Sequence, residues 1–423
     1  MQYMYSIMMY LLTPYLLFRL WWKGRKLPAY RQRISERFCL DTQYTPMPVD
    51  IWIHAVSLGE VIAAIPLIDA LLDKQHTLLV TTMTPTGSQQ LLSRFDTKIQ
   101  HQYLPYDLAV VLRRFFMRYK PCLGIIMETE IWPNMIRQAK VAGIPLLLAN
   151  ARLSARSLQS YLRFRRFFKP ILNGFTAIYA QSSEDAKRFI TLGADKAMVQ
   201  MLGNMKFDLQ LNTVDNQKYQ KMKQLWGKSR VVFIAASTHG DEESQILSQL
   251  RRLQQSIPQV LLLIAPRHPE RFQKVYELSR QAGFDTGMQS LQTSVSEKSE
   301  VIILDSLGEL LGFYYVSDYA FVGGSLVPVG GHNVLEPIAM NIPVFSGDRV
   351  HNFQRICNEL ELREAIQLVK SAEQLIDALI RLHKDKRLCD QMIQNASLVL
   401  KKSTGSLQKH IDQVQKILST RLI

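Results

Sequence analysis

The sequence predicts two consecutive α/β domains, each built on a doubly wound parallel sheet. Short, continuous apolar runs alternate with helical patterns, which is typical of buried parallel strands joined by helices. The alternation stops at a polar stretch rich in Lys and Gln, at residues 204–230, and then restarts. The length of 423 residues is enough for two complete cores. Residues 204–230 are therefore interpreted as a linker plus a surface helix.

The apolar runs give ten strand candidates, five in each half of the chain. Those of the first half are residues 51–56, 77–83, 122–127, 145–150 and 177–180. Those of the second half are residues 231–236, 260–265, 301–304, 319–322 and 343–345. Helical patterns lie between them, for example at residues 61–72 and 108–119. Ligands of such sheets bind beyond the carboxyl ends of the strands, so the residues that follow each run are the candidates for a site.

Residues 1–22 are almost uncharged and rich in Met, Leu and aromatic side chains, with Arg19 as the one charged residue among them. Their length suits a bilayer-spanning helix, and Trp21 and Trp22 suit a membrane interface. Six basic residues follow, at Lys23, Arg25, Lys26, Arg31, Arg33 and Arg37. The positive-inside rule then places the rest of the chain in the cytoplasm. The segment is predicted to be a membrane anchor, with a spanning helix and an interfacial helix both open.

Charge and cysteine usage restrict the class of partner. The formal net charge of +15 indicates an anionic partner, which is nucleic acid, anionic lipid or a phosphorylated substrate. The four cysteines lie far apart without a C-x-x-C spacing. That spacing disfavours a thiolate zinc site and fits a reducing compartment.

A Gly-rich turn at residues 323–331 follows the strand candidate at residues 319–322 and leads into a helical pattern. Glycines between a strand and a helix let backbone N–H groups approach a phosphate, and the helix N-terminus adds positive potential. Glu336 lies one turn into that helix and suits ribose hydroxyls. A nucleotide is therefore the leading ligand.

Residues 152–170 contain six basic side chains and no acid, interleaved with four aromatic side chains. The basic residues are Arg152, Arg156, Arg163, Arg165, Arg166 and Lys169. This pattern favours an anionic membrane surface or the phosphates of a lipid. A solvated helix face remains the alternative. Nucleic acid is disfavoured as a partner, because the chain also carries an anchor-like segment and a nucleotide motif.

Five separated motifs resemble, in order, those of the 3-deoxy-D-manno-oct-2-ulosonic acid (Kdo) transferases of lipopolysaccharide synthesis. They are IHAVSLGE at residues 53–60, METEIWPN at 127–134, GNMKFD at 203–208, PRHPER at 266–271 and GGS…GGHN…E at 323–336. The resemblance extends from the N-terminal segment to about residue 353. It implies an inverting transfer of Kdo from CMP-Kdo to a lipid A precursor, at the cytoplasmic face of the inner membrane and without a catalytic metal.

The resemblance also implies a GT-B fold, in which two Rossmann-like domains face a cleft. Residues 1–22 are then the anchor, residues 23–205 the acceptor-binding domain and residues 206–423 the CMP-Kdo-binding domain. The C-terminal helix of the chain can pack back on the first domain. The expected partners are CMP-Kdo, the lipid A precursor and an anionic inner-membrane surface, without nucleic acid and without a cofactor.

Three catalytic residues follow from the resemblance, namely Glu60, Glu130 and Lys206. Glu60 is the base that takes the proton of the acceptor hydroxyl, and its place at a helix start is expected to favour the ionised form. Lys206 neutralises donor charge, and Glu130 orients the acceptor or another side chain. The pattern alone leaves alternatives, because Ser57-x-x-Glu60 is also a capping box. Glu130 is otherwise a helix N-terminal acid, and Lys206 a surface lysine.

The resemblance assigns nine residues to CMP. They are Arg267, His268, Gly308, Glu309, Leu310, Asn333, Val334, Leu335 and Glu336. Arg267 and His268 meet the charge of the phosphate, whereas residues 308–310 act through their backbone. Glu336 accepts hydrogen bonds from the ribose. As alternatives, Arg267 and His268 lie in a solvated turn, and Glu309 is an acid in the first turn of a helix.

No metal site is predicted. The chain has no Asp-x-Asp pair of the kind that holds Mg²⁺ against a diphosphate, and Glu128-Thr-Glu130 is a poor substitute for one. The histidines His239, His332 and His351 are scattered along the sequence. Two other functions stay open, which are a GT-B transferase with another nucleotide sugar and a membrane-tethered, non-catalytic binder of nucleotide or lipid phosphate.

Overall fold

The chain forms two compact units in the computed structural model, which describes residues 2–25, 27–40, 48–205, 208, 216–227, 230–291, 296 and 298–420. One unit comprises Met1–Asp208 and Ser403–Ile423, and the other comprises Leu209–Lys402. The C-terminal end of the chain is thus grouped with the first unit. Every strand pairing in both units is parallel.

The strands alternate with helices along the described chain. The strands are β1 (Ile51–His54), β2 (Leu78–Thr82), β3 (Gln100–Tyr103), β4 (Leu123–Met127), β5 (Leu146–Ala151), β6 (Ala177–Ala180), β7 (Val199–Met201), β8 (Val232–Thr238), β9 (Leu261–Pro266), β10 (Thr286–Met288), β11 (Val301–Ile303), β12 (Tyr319–Val322), β13 (Val344–Gly347) and β14 (Gln367–Val369). The helices are α1 (Gln2–Lys23), α2 (Leu58–Asp73), α3 (Pro85–Phe95), α4 (Ala109–Tyr119), α5 (Pro133–Val141), α6 (Ala155–Leu162), α7 (Arg165–Leu172), α8 (Ser183–Leu192), α9 (Asn216–Gly227), α10 (Glu242–Ser256), α11 (Phe272–Gln281), α12 (Leu310–Val316), α13 (Leu335–Ala339), α14 (Gln354–Leu362), α15 (Ala372–Lys384), α16 (Lys386–Ser403) and α17 (Ser406–Ser419).

The sheet of the first unit has the strand order β3-β2-β1-β4-β5-β6-β7, and that of the second has the order β10-β11-β9-β8-β12-β13-β14. Every residue of β1, β2, β4, β5 and β6 is buried, because helices cover both faces of the sheet. The prediction of two parallel α/β domains is confirmed. All ten predicted strands are present, and the two predicted helical patterns coincide with α2 and α4.

Four strands were not predicted from the sequence, and each of them lies at the edge of its sheet. They are β3, β7, β10 and β14. Residues of β3, β7 and β14 are partly exposed, so these strands are not continuous apolar runs.

The prediction of a surface helix within residues 204–230 needs one correction. Tyr219 and Trp226 of α9 are buried against Phe313 of α12, so α9 belongs to the packing of the second unit.

The N-terminal segment forms helix α1, which packs along the first unit. The hydroxyl of Tyr5 donates to Oδ2 of Asp107 at 2.8 Å, and the hydroxyl of Ser6 donates to Oδ1 of Asn134 at 2.6 Å. Leu20, near its other end, is buried in a small apolar cluster. None of the helices in the described ranges is both long enough and apolar enough to cross a membrane. The spanning helix that the sequence left open is therefore not found.

Candidate functional site

Three acidic side chains of the first unit lie beyond the carboxyl ends of neighbouring strands. Glu60 follows β1, whereas Glu128 and Glu130 follow β4, which is next to β1 in the sheet. Their charges act on one another, because both Glu128 and Glu130 help to raise the pKa of Glu60. The structure thus brings together Glu60 and Glu130, two of the three predicted catalytic residues.

The carboxyl group of Glu60 is half-buried and held by two donors. Its Oε2 accepts from the backbone N–H of Val56 at 2.8 Å, and its Oε1 accepts from the hydroxyl of Ser57 at 3.2 Å. Burial is the largest influence and raises the pKa of Glu60 to about 7, assisted by the charges of Glu130 and Glu128. The two hydrogen bonds lower that pKa but do not outweigh burial. A carboxylate with a pKa near 7 is well matched to general-base work at neutral pH.

The capping-box alternative for Ser57 and Glu60 is wrong in its predicted form. Ser57 is the N-cap of α2, but its side chain accepts no hydrogen bond from the first turn of the helix. Glu60 binds the N–H of Val56, the residue before the cap, whereas a capping box requires the N–H of the cap itself. The expectation that the helix start favours the ionised carboxylate is also corrected, because burial dominates its pKa.

Glu130 lies between the end of β4 and the start of α5. Its Oε2 accepts from Nε1 of Trp132 at 2.5 Å. Burial raises the pKa of Glu130, and the charge of Glu128 adds to that effect. The helix begins at Pro133 with Trp132 as its N-cap, so Glu130 precedes the N-cap by two residues and, within the described residues, makes no capping contact with the helix. Burial raises the pKa of Tyr161 in helix α6, and the charge of Glu130, which lies near it, adds to that effect.

The basic and aromatic segment predicted at residues 152–170 forms α6 and α7. All six of its basic residues are exposed. Phe164, between the two helices, is 63% exposed. Phe167 is half-buried and lies 5.9 Å, between ring centroids, from Tyr5 of α1. The N-terminal helix and this segment therefore contact each other on the first unit.

Lys206, the third predicted catalytic residue, lies outside the described residues. Its described neighbours are fixed by the rest of the first unit. The N–H of Met205 donates to Oδ1 of Asn150 at 3.1 Å. The carboxylate of Asp208 accepts from the backbone N–H groups of Gly405 and Leu407, at the start of α17.

Asn150 connects the end of β5 to helix α17. Its φ of 51° places it in the left-handed region, and the pairing of β5 with β6 shifts register there. The N–H of Asn150 donates to Nε2 of His410 at 3.2 Å, while Nδ1 of His410 bonds the carbonyl of Ser406 at 2.8 Å. His410 is buried, which lowers its pKa to about 4 and keeps the ring neutral.

Replacing His410 by phenylalanine is expected to lower the free energy of unfolding by about 1–3 kcal/mol, because the buried N–H of Asn150 loses its acceptor. The wild type is expected to lose part of its stability as the pH falls from 6.5 towards 4, since the unfolded imidazole takes up a proton there and the folded one does not. Urea unfolding across this range measures both effects, with His76→Phe as a control because His76 contacts α17 from a more exposed position. An unchanged stability of His410→Phe would contradict this account.

Backbone N–H groups of the Gly-rich turn in the second unit donate to a side chain of the protein itself. Glu242 is buried, and its Oε2 accepts from the N–H groups of Gly324 at 2.7 Å and His239 at 2.9 Å. Its Oε1 accepts from the N–H groups of Ser325 at 3.0 Å and Leu326 at 2.9 Å. A carboxylate among four N–H groups fills the role expected of a phosphate. The prediction that this part of the turn cradles a phosphate is therefore wrong.

Cationic and imidazole groups meet beyond the ends of β9, β8 and β12, which are neighbours in the sheet. Arg267 and His268 follow β9, His239 follows β8, and His332 lies in the loop after β12. The rings of His239 and His268 meet edge to face with 5.3 Å between centroids. Arg267 is close enough to lower the pKa of both His332 and Glu336.

Glu336 lies at the start of α13, beside this cluster. Nδ2 of Asn333 donates to its Oε1 at 3.1 Å, and Oδ1 of Asn333 accepts from the N–H of Leu335 at 3.1 Å. Burial raises the pKa of Glu336, whereas Asn333 and Arg267 lower it. The predicted residues Arg267, His268 and Asn333–Glu336 thus converge, with Val334 as the N-cap of the helix.

Glu309 is held by partners in its own unit. Its carboxylate accepts from Nζ of Lys218, and the hydroxyl of Tyr219 donates to the same oxygen at 3.2 Å. Lys218 is the main reason that the pKa of Glu309 is lowered. Glu309 is the N-cap of α12 and not a first-turn acid, which corrects that alternative. The backbone of Gly308, Glu309 and Leu310 is what the segment can offer a ligand.

His239 and His332 are partners that the sequence pattern does not bring together. They are 93 positions apart along the chain, yet their Nε2 atoms are 2.9 Å apart. The available signal was that each follows a strand, and that the ends of neighbouring parallel strands meet at one edge. Within the described residues, no group of three or more His, Cys, Asp or Glu side chains is arranged to hold a metal ion.

Comparison with known proteins agrees with these motifs. Residues 32–209 match the family described as 3-deoxy-D-manno-octulosonic-acid transferase (kdotransferase). The chain is 38% identical over 421 residues to a 3-deoxy-D-manno-octulosonic acid transferase of Haemophilus influenzae, covering 99% of each chain. It is 30% identical over 381 residues to the protein of the same description from Bordetella pertussis, covering 88% of each.

A solved structure shares the fold of the chain. The UDP-GlcNAc 2-epimerase from Neisseria meningitidis, bound to UDP-GlcNAc, superposes with a TM-score of 0.58. The likeness covers 86% of this chain and 99% of that one at 17% identity, so it concerns the fold alone.

Proposed function

Since the chain belongs to the Kdo transferase family, we propose that it moves Kdo from CMP-Kdo to a hydroxyl group of a lipid A precursor, in lipopolysaccharide core synthesis. The protein is then an inverting glycosyltransferase of the GT-B type. Residues 23–205 bind the acceptor and residues 206–402 bind the donor, whereas the C-terminal residues 403–423 belong to the acceptor-binding unit. The observation that carries the proposal is the pair Glu60 and Glu130 at one sheet edge, where burial raises the pKa of both carboxyl groups and the charge of Glu128 adds to the effect on each.

Glu60 is the general base of this proposal. A sugar hydroxyl is a poor nucleophile, and a carboxylate that takes its proton as it attacks lowers the barrier. The oxygen forms a bond to the anomeric carbon of Kdo, while the bond from that carbon to the phosphate oxygen breaks. CMP leaves with the electron pair of that bond, and the proton of the hydroxyl ends on Glu60. A single displacement of this kind inverts the anomeric centre.

The other predicted residues assist the two substrates. Glu130 orients the acceptor, which fits its position near Tyr161 of helix α6. Arg267 and His268 meet the phosphate charge that develops on CMP, and Glu336 accepts from the ribose hydroxyls. The backbone of residues 308–310 and of Asn333–Leu335 supplies further contacts to the nucleotide, and Lys206 neutralises donor charge. No metal or other cofactor takes part.

Helix α1 carries the membrane contact in this proposal, as an interfacial helix on the cytoplasmic side of the inner membrane. Its outward side exposes Tyr3, Ile7, Leu11, Tyr15 and Phe18. An apolar stripe next to basic side chains is the composition of helices that lie in the interface plane. The exposed cations of α6 and α7 add attraction to anionic lipid, by about 1 kcal/mol for each one near the surface.

Replacing Leu11 by glutamate is expected to weaken binding to anionic vesicles at least about tenfold, because it places a charge in the apolar layer. Leu11 is 76% exposed, so the melting temperature is expected to stay within a few degrees of wild type. Vesicle co-sedimentation measures the effect. Leu362→Glu is the matched control, since Leu362 is 86% exposed and lies in the second unit. Equal vesicle binding by Leu11→Glu and wild type would remove α1 from the membrane contact.

Two measurements separate the proposal from its alternatives. Release of CMP that requires the lipid acceptor distinguishes a transferase from a non-catalytic binder. Competition by CMP but not by UDP distinguishes CMP-Kdo from other nucleotide sugars. Release without acceptor dependence would contradict the assignment as a transferase, and equal competition by UDP would contradict the assignment of the donor.

A further inference from the structure

His239 and His332 share a hydrogen bond between their ring edges. The two Nε2 atoms are 2.9 Å apart, the ring planes differ by 4° and the centroids are 5.1 Å apart. The ring centroids are much farther apart than the two Nε2 atoms, and the ring planes are nearly parallel. The two rings therefore lie in one plane, with their Nε2 atoms pointing at each other. A stacked pair would instead bring the two faces together. The geometry is that of an N–H···N hydrogen bond.

This arrangement has room for one proton between the two Nε2 atoms. One ring donates it and the other accepts it, so in the neutral pair the accepting ring carries its other hydrogen on Nδ1. One further proton leaves the shared bond intact and gives both rings an Nδ1–H donor. Among the described residues, neither Nδ1 atom has a hydrogen-bond partner. The singly protonated pair is thus a cation with two Nδ1–H donors, and neither donor has an acceptor among the described residues.

The surroundings of the pair keep it neutral when the site is empty. Burial is the largest cause that lowers the pKa of His239 and that of His332, the latter to about 4. The charges of Arg267 and His268 lower both further, and Arg271 acts on His239 as well. The charge of Glu242 opposes these effects at His239, but its oxygens are already occupied by backbone N–H groups.

Two more carboxylates face the cluster, and each is engaged elsewhere. Glu243 pairs with Arg271 at 3.0 Å and accepts from the hydroxyl of Thr238 at 2.9 Å. Glu336 accepts from Asn333 and lies within the field of Arg267. The cluster therefore combines two arginines and three imidazoles, and its acids are already bonded within the protein. An arriving anion is the missing partner.

We propose that the His239–His332 pair binds the anionic phosphate of the donor nucleotide and takes up one proton as the nucleotide binds. The inference rests on the proposed function. The N–H groups of Gly324, Ser325 and Leu326 are occupied by Glu242, which leaves the side chains of this cluster to meet phosphate charge at that part of the turn. An anion beside Arg267 cancels part of the field that keeps the pair neutral, and it accepts from the Nδ1–H donors that protonation creates.

Calorimetric titration with CMP tests this proposal on the full-length protein. The heat of binding is measured near neutral pH in two phosphate-free buffers that differ in ionisation enthalpy, which gives the number of protons taken up. The phosphate monoester of CMP itself titrates with a pKa of about 6. Variants His332→Gln and His239→Gln, which keep a hydrogen-bonding side chain that does not titrate, supply that background. His383→Gln is the matched control, because His383 packs on Tyr319 at the opposite end of β12.

The wild type and His383→Gln are expected to take up more protons with CMP than either pair variant does. Their CMP affinity is expected to fall with rising pH more steeply than that of the variants, by up to about tenfold per pH unit for one coupled proton. Cytidine, which lacks the phosphate, is expected to bind without proton uptake. Equal proton uptake by wild type, His332→Gln and His239→Gln would overturn the inference while leaving the proposed function intact.

A loss of folding in one variant leaves the test in place. The other variant still supplies the comparison, and the wild type alone can be titrated with CMP and with cytidine. If the two ligands show the same proton uptake, the inference is overturned without any variant. If the wild type binds no CMP at all, the assignment of the donor falls, and the inference falls with it.

Discussion

Replacing Glu60 by glutamine is expected to lower Kdo transfer at least about 10²-fold while leaving the fold and the affinity for CMP near those of the wild type. The amide of glutamine is a very weak base and cannot take the proton of the acceptor hydroxyl. It can still accept from the N–H of Val56, the bond that Glu60 makes at 2.8 Å. The variant therefore removes the base and keeps the local structure.

The pH dependence gives a second readout of Glu60. Burial raises the pKa of Glu60 to about 7, so the reactive, ionised form increases as the pH rises through 7. The ratio kcat/KM of the wild type is expected to rise across that range, and the small residual activity of Glu60→Gln is expected to lack this rise. The stability follows the opposite sign. A raised carboxyl pKa contributes stability that is complete below the unfolded value of 4.5 and is lost as the pH rises through 7.

Two controls accompany the Glu60 variant. At alkaline pH, Glu60→Gln is expected to be at least as stable as the wild type, because it buries no charge there. Ser57→Ala is expected to keep most of the transfer activity, and to cost less than the loss of a true helix cap, because Ser57 makes no capping bond with its side chain. More than about a tenth of wild-type transfer by Glu60→Gln would show that this carboxylate is not the base.

Replacing Glu336 by alanine is expected to weaken CMP binding by about 1.5–3 kcal/mol, which is the range for hydrogen bonds to a charged group. The carboxyl group lies at the start of α13, oriented by Asn333 and within the field of Arg267. The melting temperature without ligand is expected to change little, because the one described hydrogen bond that the variant loses is the partly buried contact with Asn333. Calorimetric titration with CMP measures the change in affinity.

Glu277 provides the matched control for Glu336. It is an exposed glutamate of the same unit, and its described hydrogen bond is to Gln273 on the same helix. Glu277→Ala is expected to bind CMP as the wild type does. If Glu336→Ala and Glu277→Ala bind CMP equally well, Glu336 does not contact the nucleotide.

The interior of both sheets could be predicted from the sequence, and their edges could not. A central parallel strand such as β4 is buried on both faces, so its sequence is an unbroken apolar run. An edge strand such as β7 is short and mostly exposed, and its three residues carry no such signal. The end of β5 was found, but the left-handed Asn150 within it depends on His410 of α17, which is 260 positions away.

The candidate site shows the same division between local pattern and distant contact. The residues that follow the strands could be located from the sequence as a set, because strand ends are visible in it. Their individual roles depend on partners that the pattern does not contain. The Gly-rich turn has the composition of a phosphate site, yet Glu242 occupies its N–H groups from the start of another helix. Ser57 and Glu60 have the spacing of a capping box, yet Glu60 binds the N–H of Val56.

The central claim is that this protein transfers Kdo from CMP-Kdo to a lipid A precursor. Mass spectrometry of the lipid after incubation of the purified protein with both substrates tests it most directly. The account predicts a product heavier than the acceptor by one or more Kdo residues, formed with release of CMP, and formed at least about 10²-fold more slowly by Glu60→Gln. An acceptor of unchanged mass, with a folded protein that still binds CMP, would contradict the claim.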